Sequence, residues 1–315
     1  MNPQSALSPA GPEAGSISHL FYFMLAVAVV VYILVVGALL LIIRRRRESD
    51  DDPRSPEREA VAARRIRLAV AVTVPVMFVL LAYDFAVGRG IGAMPTAPML
   101  TVTVTGHRWW WQVDYEDPVP QNRVRTANEI HIPAGRPVRV KLLSHDVIHS
   151  FWVPNLQGKR DLIPGYTTTH WIKADKPGTY RGQCAEFCGL QHAKMALHVV
   201  AESPAQFRAW FAQASTPNSP PSDSTSLYGQ RVFLTAGCSV CHTIGGTTAQ
   251  ATIGPSLTHF KSRATIAAGT LANTRENVEG WIANPQAIKP GTRMPAVPLK
   301  PAELTALVSY LETLK

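Results

Sequence analysis

The sequence predicts three structural classes in one chain: a hairpin of two N-terminal transmembrane helices, an all-β barrel or sandwich, and a C-terminal all-α domain. Three observations predict them. Two long apolar runs open the chain, a stretch alternating apolar and polar residues between Pro and Gly turns follows, and the last 89 residues turn helical around a Cys-x-x-Cys-His. A length of 315 residues allows about two domains of ordinary size. With 17% charged and 46% apolar residues and a mean hydropathy of +0.02, the chain is neither a disordered tail, a coiled coil nor a disulfide-stapled mini-protein. The formal charge is +9, but much of the positive charge sits beside an apolar run, which argues against a nucleic-acid partner.

From His19 to Ile43 there are 25 residues without Lys, Arg, Asp or Glu. A hydrocarbon core of roughly 30 Å needs about 20 such residues as a helix, so this run can span. A signal peptide would carry a basic leader and a shorter apolar core, yet the first 18 residues hold no Lys or Arg. A second run, Ile66 to Val87, is interrupted mainly by Thr73 and Asp84, with Pro75 expected to kink it. The helices are therefore expected at about 19–43 and 66–87. Residues 44–67 between them carry nine Arg and six acidic residues. The positive-inside rule places that loop in the cytoplasm and both termini outside.

Alternation in MLTVTVTGHRWWWQVDY, EIHIPAGRPVRVKLL, WIKADKPGTYRGQC and MALHVVAES predicts short strands of a sandwich or barrel. PAQFRAWFAQA, from Pro204, reads as a short helix. STPNSPPSDSTS reads as a flexible extended linker that leaves the orientation of the following domain open. SLYGQRVFLTAGC, TRENVEGWIANP and PAELTALVSYLETL then read as helices. The boundaries are 1–94 for tail and hairpin, 95–213 for the β domain, 214–226 for the linker and 227–315 for the helical domain.

CAEFCGLQHAKM places Cys184, Glu186, Cys188, His192 and Met195 within twelve residues. Two thiolates, an imidazole and a thioether form a soft ligand set that suits copper better than hard cations. A thioether also argues against structural zinc. A Cys184–Cys188 disulfide is the rival, but it leaves His192 and Met195 unexplained. One further nitrogen ligand is needed, and either His145 or His149 in SHDVIHSFWVP could supply it.

HSFWVP, DLIPG and CAEFCGLQHAKM, in that order after two apolar runs, resemble subunit II of haem–copper cytochrome c oxidases. The resemblance implies a cupredoxin-like barrel holding a binuclear copper centre, CuA. Cys184 and Cys188 would bridge the coppers, with His149 and His192 as nitrogen ligands. Met195 would be the weak thioether, and Glu186 would contribute its backbone carbonyl. The Glu186 side chain would also reach a magnesium or manganese site shared with subunit I. GHRWWWQVDY resembles the family's aromatic segment, with Trp109 as the residue through which electrons arrive; of Trp110 and Trp111, one is expected to point inward. Tyr166 after Gly165 departs from the Arg that the family often carries there.

CSVCH, residues 238 to 242, is the attachment pattern of a c-type haem, with Cys238 and Cys241 forming the thioethers and His242 lying beneath the iron. Met294, 52 residues on in KPGTRMPAV, offers the distal sulfur. The segment resembles a class I cytochrome c domain, with Pro255 in the loop that orients His242. Gly229 and Phe233 resemble one side of its terminal helix contact, and Leu307 and Tyr310 the other. His259 is expected not to ligate. All four cysteines are thus expected on cofactors, leaving no structural disulfide.

Taken together, the chain resembles subunit II of a caa-type cytochrome c oxidase. That implies electrons entering through covalent haem c, passing to CuA and then to haem in subunit I, where oxygen is reduced to water with proton pumping. This chain would hold no oxygen-reducing site. Implied partners are subunit I, subunit III and a soluble cytochrome c or other donor. The implied location is a bacterial inner or plasma membrane, with both termini and both cofactor domains outside. A quinol oxidase subunit shares the fold but would lack both cysteine clusters.

Overall fold

The computed structural model describes residues 4–47, 56–91, 93, 95, 100–116 and 123–315. Residues 48–55 of the expected cytoplasmic loop lie outside them. The chain divides into a unit of Gly15–Ala93 and a unit combining Met1–Ala14 with Met94–Lys315.

In the first unit, α1 (Pro12–Arg47) and α2 (Pro56–Ile91) are each 36 residues long. Both outrun the apolar windows expected at 19–43 and 66–87. The flanking Arg, Glu and Ala residues are strong helix formers, so the helix continues where the apolar run stops. Pro75 lies inside α2. Segments Pro12–Arg44 and Glu59–Ile91 have mean hydropathies of 3.2 and 2.2 and are long and apolar enough to cross a membrane. Their apolar side chains are exposed along much of the surface, as suits a helix surrounded by lipid rather than by a protein core.

The second unit opens its sandwich with β1 (Leu100–His107), β2 (Trp110–Glu116), β3 (Val124–Ala127), β4 (Glu129–Pro133) and β5 (Val138–Ser144). It continues with β6 (His149–Trp152), β7 (Arg160–Leu162), β8 (Thr168–Ile172), β9 (Gly178–Cys184) and β10 (Ala196–Glu202). One sheet runs β3-β2-β1-β5-β8 and the other β4-β10-β9-β6-β7. Along β5, Val138, Val140 and Leu142 are buried while Arg139 and Lys141 are not, because successive side chains leave opposite faces of a strand. These valines meet Ile130, Ile132, Phe151 and Leu197 of the other sheet in one core. Trp111 is wholly buried in it, whereas Trp110 lies outside, stacked on His107 with ring centroids 4.3 Å apart.

The N-terminal tail is part of this unit. The Ala10 amide donates to the Asn155 carbonyl at 2.7 Å, the Asp175 amide to Ala10 at 2.8 Å, and Glu13 meets His170 at 3.1 Å.

Helix α3 (Pro204–Ala214) closes the sandwich; a capping box formed by Ser203 and Gln206 starts it, and Trp210 stacks on His131 at 4.0 Å. The helical domain has α4 (Ser224–Thr235), a short hairpin of β11 (Thr265–Ile266) and β12 (Leu271–Ala272), α5 (Arg275–Ala283), α6 (Pro285–Ile288) and α7 (Pro301–Thr313). At the α4–α7 crossing, a Cβ on Gly229 would stand 1.9 Å from the Ala306 carbonyl, so only glycine permits that approach. Phe233 and Tyr310 pack alongside, 6.2 Å between centroids.

The segment expected to be a flexible linker is bound instead. Asn218 donates its amide to Gly245 at 3.3 Å and accepts the His259 amide at 3.1 Å, and α4 begins at Ser224, inside the expected linker. Its polar composition reads as solvated chain, but the same side chains and backbone groups satisfy turns of the helical domain.

Two candidate cofactor centres

The first centre lies at one end of the sandwich, where β6 and β9 deliver His149 and Cys184 and the loop to β10 brings round Cys188, His192 and Met195. Cys184 Sγ is 3.7 Å from Cys188 Sγ and 3.8 Å from His149 Nδ1. Cys188 Sγ is 3.7 Å from His192 Nδ1 and 3.8 Å from Met195 Sδ. Cys184 Sγ lies 3.2 Å from the Glu186 carbonyl oxygen. One ligand atom from each of His149, Cys184 and Cys188 fits within 4.8 Å, and all three residues are buried. Of the two histidines the sequence left open, His149 enters the cluster; His145 is exposed and its ring lies against His107 at 4.7 Å.

Soft donors converging on one point, with both thiols free, fit a copper centre. The contact with Cys188 is the main reason the Cys184 thiol is held well below its ordinary value, with His149 adding to it against burial. The same contact, with burial, pushes the Cys188 thiol up.

Asp146 was not anticipated from the sequence. Its Oδ1 lies 2.9 Å from His149 Nε2, and its carboxylate also accepts the Arg108 amide at 2.8 Å and the Val147 amide at 2.8 Å. Burial opposes the charge, but these bonds outweigh it and hold the carboxyl well below the usual range. An outer carboxylate on one imidazole nitrogen aims the other at a metal and raises its basicity. The legible signal was the i, i+3 spacing of SHDVIH.

Trp109 is 9% exposed, and its indole Nε1 donates to the Cys188 carbonyl at 2.9 Å. The ring is thus hydrogen-bonded to the loop that carries the thiols. The Glu186 side chain is exposed and accepts the Phe187 amide at 3.2 Å.

The second centre belongs to the helical domain. Gly237, at φ +88°, turns the chain out of α4 into Cys238, and Cys241 and His242 follow at once. His242 Nδ1 is 2.7 Å from the Pro255 carbonyl, which fixes the ring through one nitrogen and makes Nε2 the one that could take a metal. A Cβ on Gly254 would stand 2.8 Å from His242 Cε1, so the loop lies flat against the imidazole. Burial pushes the His242 imidazole below its ordinary value, which favours the neutral form that binds metal. Met294 and Cys238 are half-buried against the domain core, and Gln286 donates to the Met294 carbonyl at 3.0 Å. Arg263 is buried, and its Nε has no hydrogen-bond partner among the described residues, which suits the carboxylates of a haem. His259 is engaged elsewhere, with Nδ1 2.6 Å from the Lys315 carbonyl and Nε2 2.9 Å from that of Thr216.

Residues 118–203 match the family model for the periplasmic domain of cytochrome c oxidase subunit II, and residues 226–315 match that for cytochrome c. Cytochrome c oxidase subunit 2 of Alkalihalophilus pseudofirmus is 41% identical over 215 residues, covering 68% of this chain and 61% of that protein. Over about two thirds of its length this chain is similar to subunit II of cytochrome c oxidases. Another subunit 2, from Bacillus sp. strain PS3, is 30% identical over 228 residues, covering 69% of this chain and 62% of its own length. The chain thus spans about three fifths of these curated relatives. The periplasmic domain of subunit II from Bradyrhizobium japonicum is 31% identical, covers 39% of this chain and 96% of that structure, and superposes with a TM-score of 0.36. The sandwich match supports copper and the helical-domain match supports haem c.

Proposed function

We propose that this chain relays single electrons from a covalent haem c to a binuclear CuA centre, and from there to haem in subunit I of a proton-pumping, oxygen-reducing caa-type oxidase. The convergence of two thiols, two imidazoles and a thioether beside Trp109 carries the reading. His149, Cys184, Cys188, His192, Met195 and the Glu186 carbonyl are the copper ligands. Cys238 and Cys241 hold the haem, with His242 and Met294 on its iron. The exposed Glu186 carboxylate is assigned to a magnesium or manganese ion shared with subunit I. When bound, the metals supply one-electron redox chemistry, and the copper pair spreads the charge change over two ions.

The protein's own task is to hold geometry. β6 and β9 are paired strands, so His149 and Cys184 cannot drift apart when charge changes. Asp146 fixes the His149 tautomer, and the Pro255 carbonyl does the same for His242. No proton need move within this chain. The arginine-rich loop and the packing of the N-terminal tail against the sandwich support the reading that the tail and the copper domain share the extracytoplasmic side of a bacterial membrane. Subunits I and III and a soluble cytochrome c or similar donor are the proposed partners.

Metal and haem analysis of the full-length chain purified from membranes tests this. Two copper ions and one covalent haem per chain are expected. Absence of copper from fully haem-loaded protein would overturn it.

A further inference from the structure

The helical domain and the sandwich fall in one compact unit, and one side chain crosses between them at Trp109. Lys289, just after α6, is 2% exposed. Its Nζ donates to the Trp109 carbonyl at 2.7 Å and to the Ala267 carbonyl at 3.1 Å. Its ammonium forms no ion pair among the described residues, and burial, with Lys194 nearby, pushes its pKa down to about 7. Removing an ammonium from water at a site without a carboxylate is costly, so its place there demands a structural return.

The surroundings supply that return. Gln191 donates to the Pro290 carbonyl at 2.7 Å, and Lys194 donates to the Ile288 carbonyl. Gly291, at φ +83°, lies flat against the same place: a Cβ there would stand 3.2 Å from Leu190 and 3.6 Å from the Trp109 ring. The Gly291 amide donates to Gln286 Oε1 at 2.8 Å, and Gln286 Nε2 donates to the Met294 carbonyl at 3.0 Å. The loop bearing Met294 is therefore tied through Gln286 to the residue beneath Trp109, and Trp109 is tied through its indole to Cys188. Farther along the seam, Ala196 donates its amide to Ala268 at 3.0 Å and Ala264 donates to Glu129 Oε1 at 2.7 Å.

We propose that Lys289 is a positioning residue that locks the haem domain's 288–291 loop onto Trp109, so that the two cofactor domains work as one docked body and Trp109 is closed to any separate donor protein. The inference rests on the relay reading above. With both groups bound, the redox step would move one electron, oxidising the haem by one and reducing the copper centre by one, with no bond or proton changing hands. A donor protein must then reduce the haem. Docking matters because electron transfer falls off steeply as the gap between donor and acceptor opens.

The test compares amide hydrogen exchange in the full-length, cofactor-loaded chain and in Lys289→Met. The Ala196 and Ala264 amides are expected to exchange at least about tenfold faster in the variant, while the interior amides of β5 keep their protection. Haem-to-copper electron transfer after flash reduction should slow by a similar factor and become viscosity-dependent. Gly291→Ala, which adds a methyl under Trp109 without altering charge, should do the same. Haem and copper spectra of the same samples report separately on the relay reading. Unchanged exchange in both variants, with intact spectra, would overturn the lock whatever the fate of the relay.

Discussion

The two cofactor centres use the same kinds of ligand in opposite ways. In the sandwich, five donor atoms already stand 3.7–3.8 Å apart in consecutive contacts, held by paired strands and one short loop. In the helical domain, two thiols and an imidazole sit on one turn, and Met294 waits on a loop more than fifty residues along the chain. In the first, strand pairing and one loop gather the donors; in the second, the donors come from two distant stretches of a helical core. The contrast teaches that metal affinity in the first should depend on single atoms, and stability in the second on backbone packing.

The sharpest way to break the comparison is Cys188→Ser. It should abolish the copper EPR and near-infrared signals while the c-type haem band and sandwich fold persist; joint loss would mean the centres are not independent. Next in size is Gly229→Val. The new side chain runs into the Ala306 carbonyl, so the helical domain should lose about 3 kcal/mol or more, followed by the haem band during denaturant unfolding. Copper signals should be unmoved, and equal loss in both domains would contradict the assignment.

Asp146→Asn sharpens the contrast further. With the carboxylate behind His149 gone, copper affinity should fall about 10–100-fold by chelator competition, and haem content should not change. Unchanged affinity would show that Asp146 does not tune the site.

The smallest effect concerns pH. Burial opposes the charged form of His131, but Glu129 and Glu202 outweigh it and raise its pKa in the fold. A raised value means the stabilisation is complete below the unfolded value near 6.5 and fades as pH climbs through the folded one. Docking of α3, read from Trp210 fluorescence during unfolding, should therefore weaken with rising pH in that window. His131→Asn should flatten the curve, and an unaltered slope would place the effect elsewhere.

Legibility in the sequence followed chemistry and periodicity. Cys184, Cys188, His192 and Met195 stand in one run, so their convergence needs only a single loop. Alternation in β1, β5 and β10 was plain because one face of each is buried and the other is not. β6 was not readable as a strand, since His149, Ser150 and Phe151 are all buried and leave no alternation. The linker misled because Pro, Ser and Asn look solvated whether or not their backbone groups find turns. Lys289 carried no signal at all: its burial depends on a carbonyl 180 residues away.

The claim on which the account depends is that one chain contains both ends of an electron relay. Flash reduction of the haem in the purified full-length protein tests it most directly, with haem and copper absorption followed together. The account predicts that copper reduction matches haem oxidation in amplitude, with a single rate that does not change on dilution. A rate proportional to protein concentration, or haem oxidation without copper reduction, would contradict it.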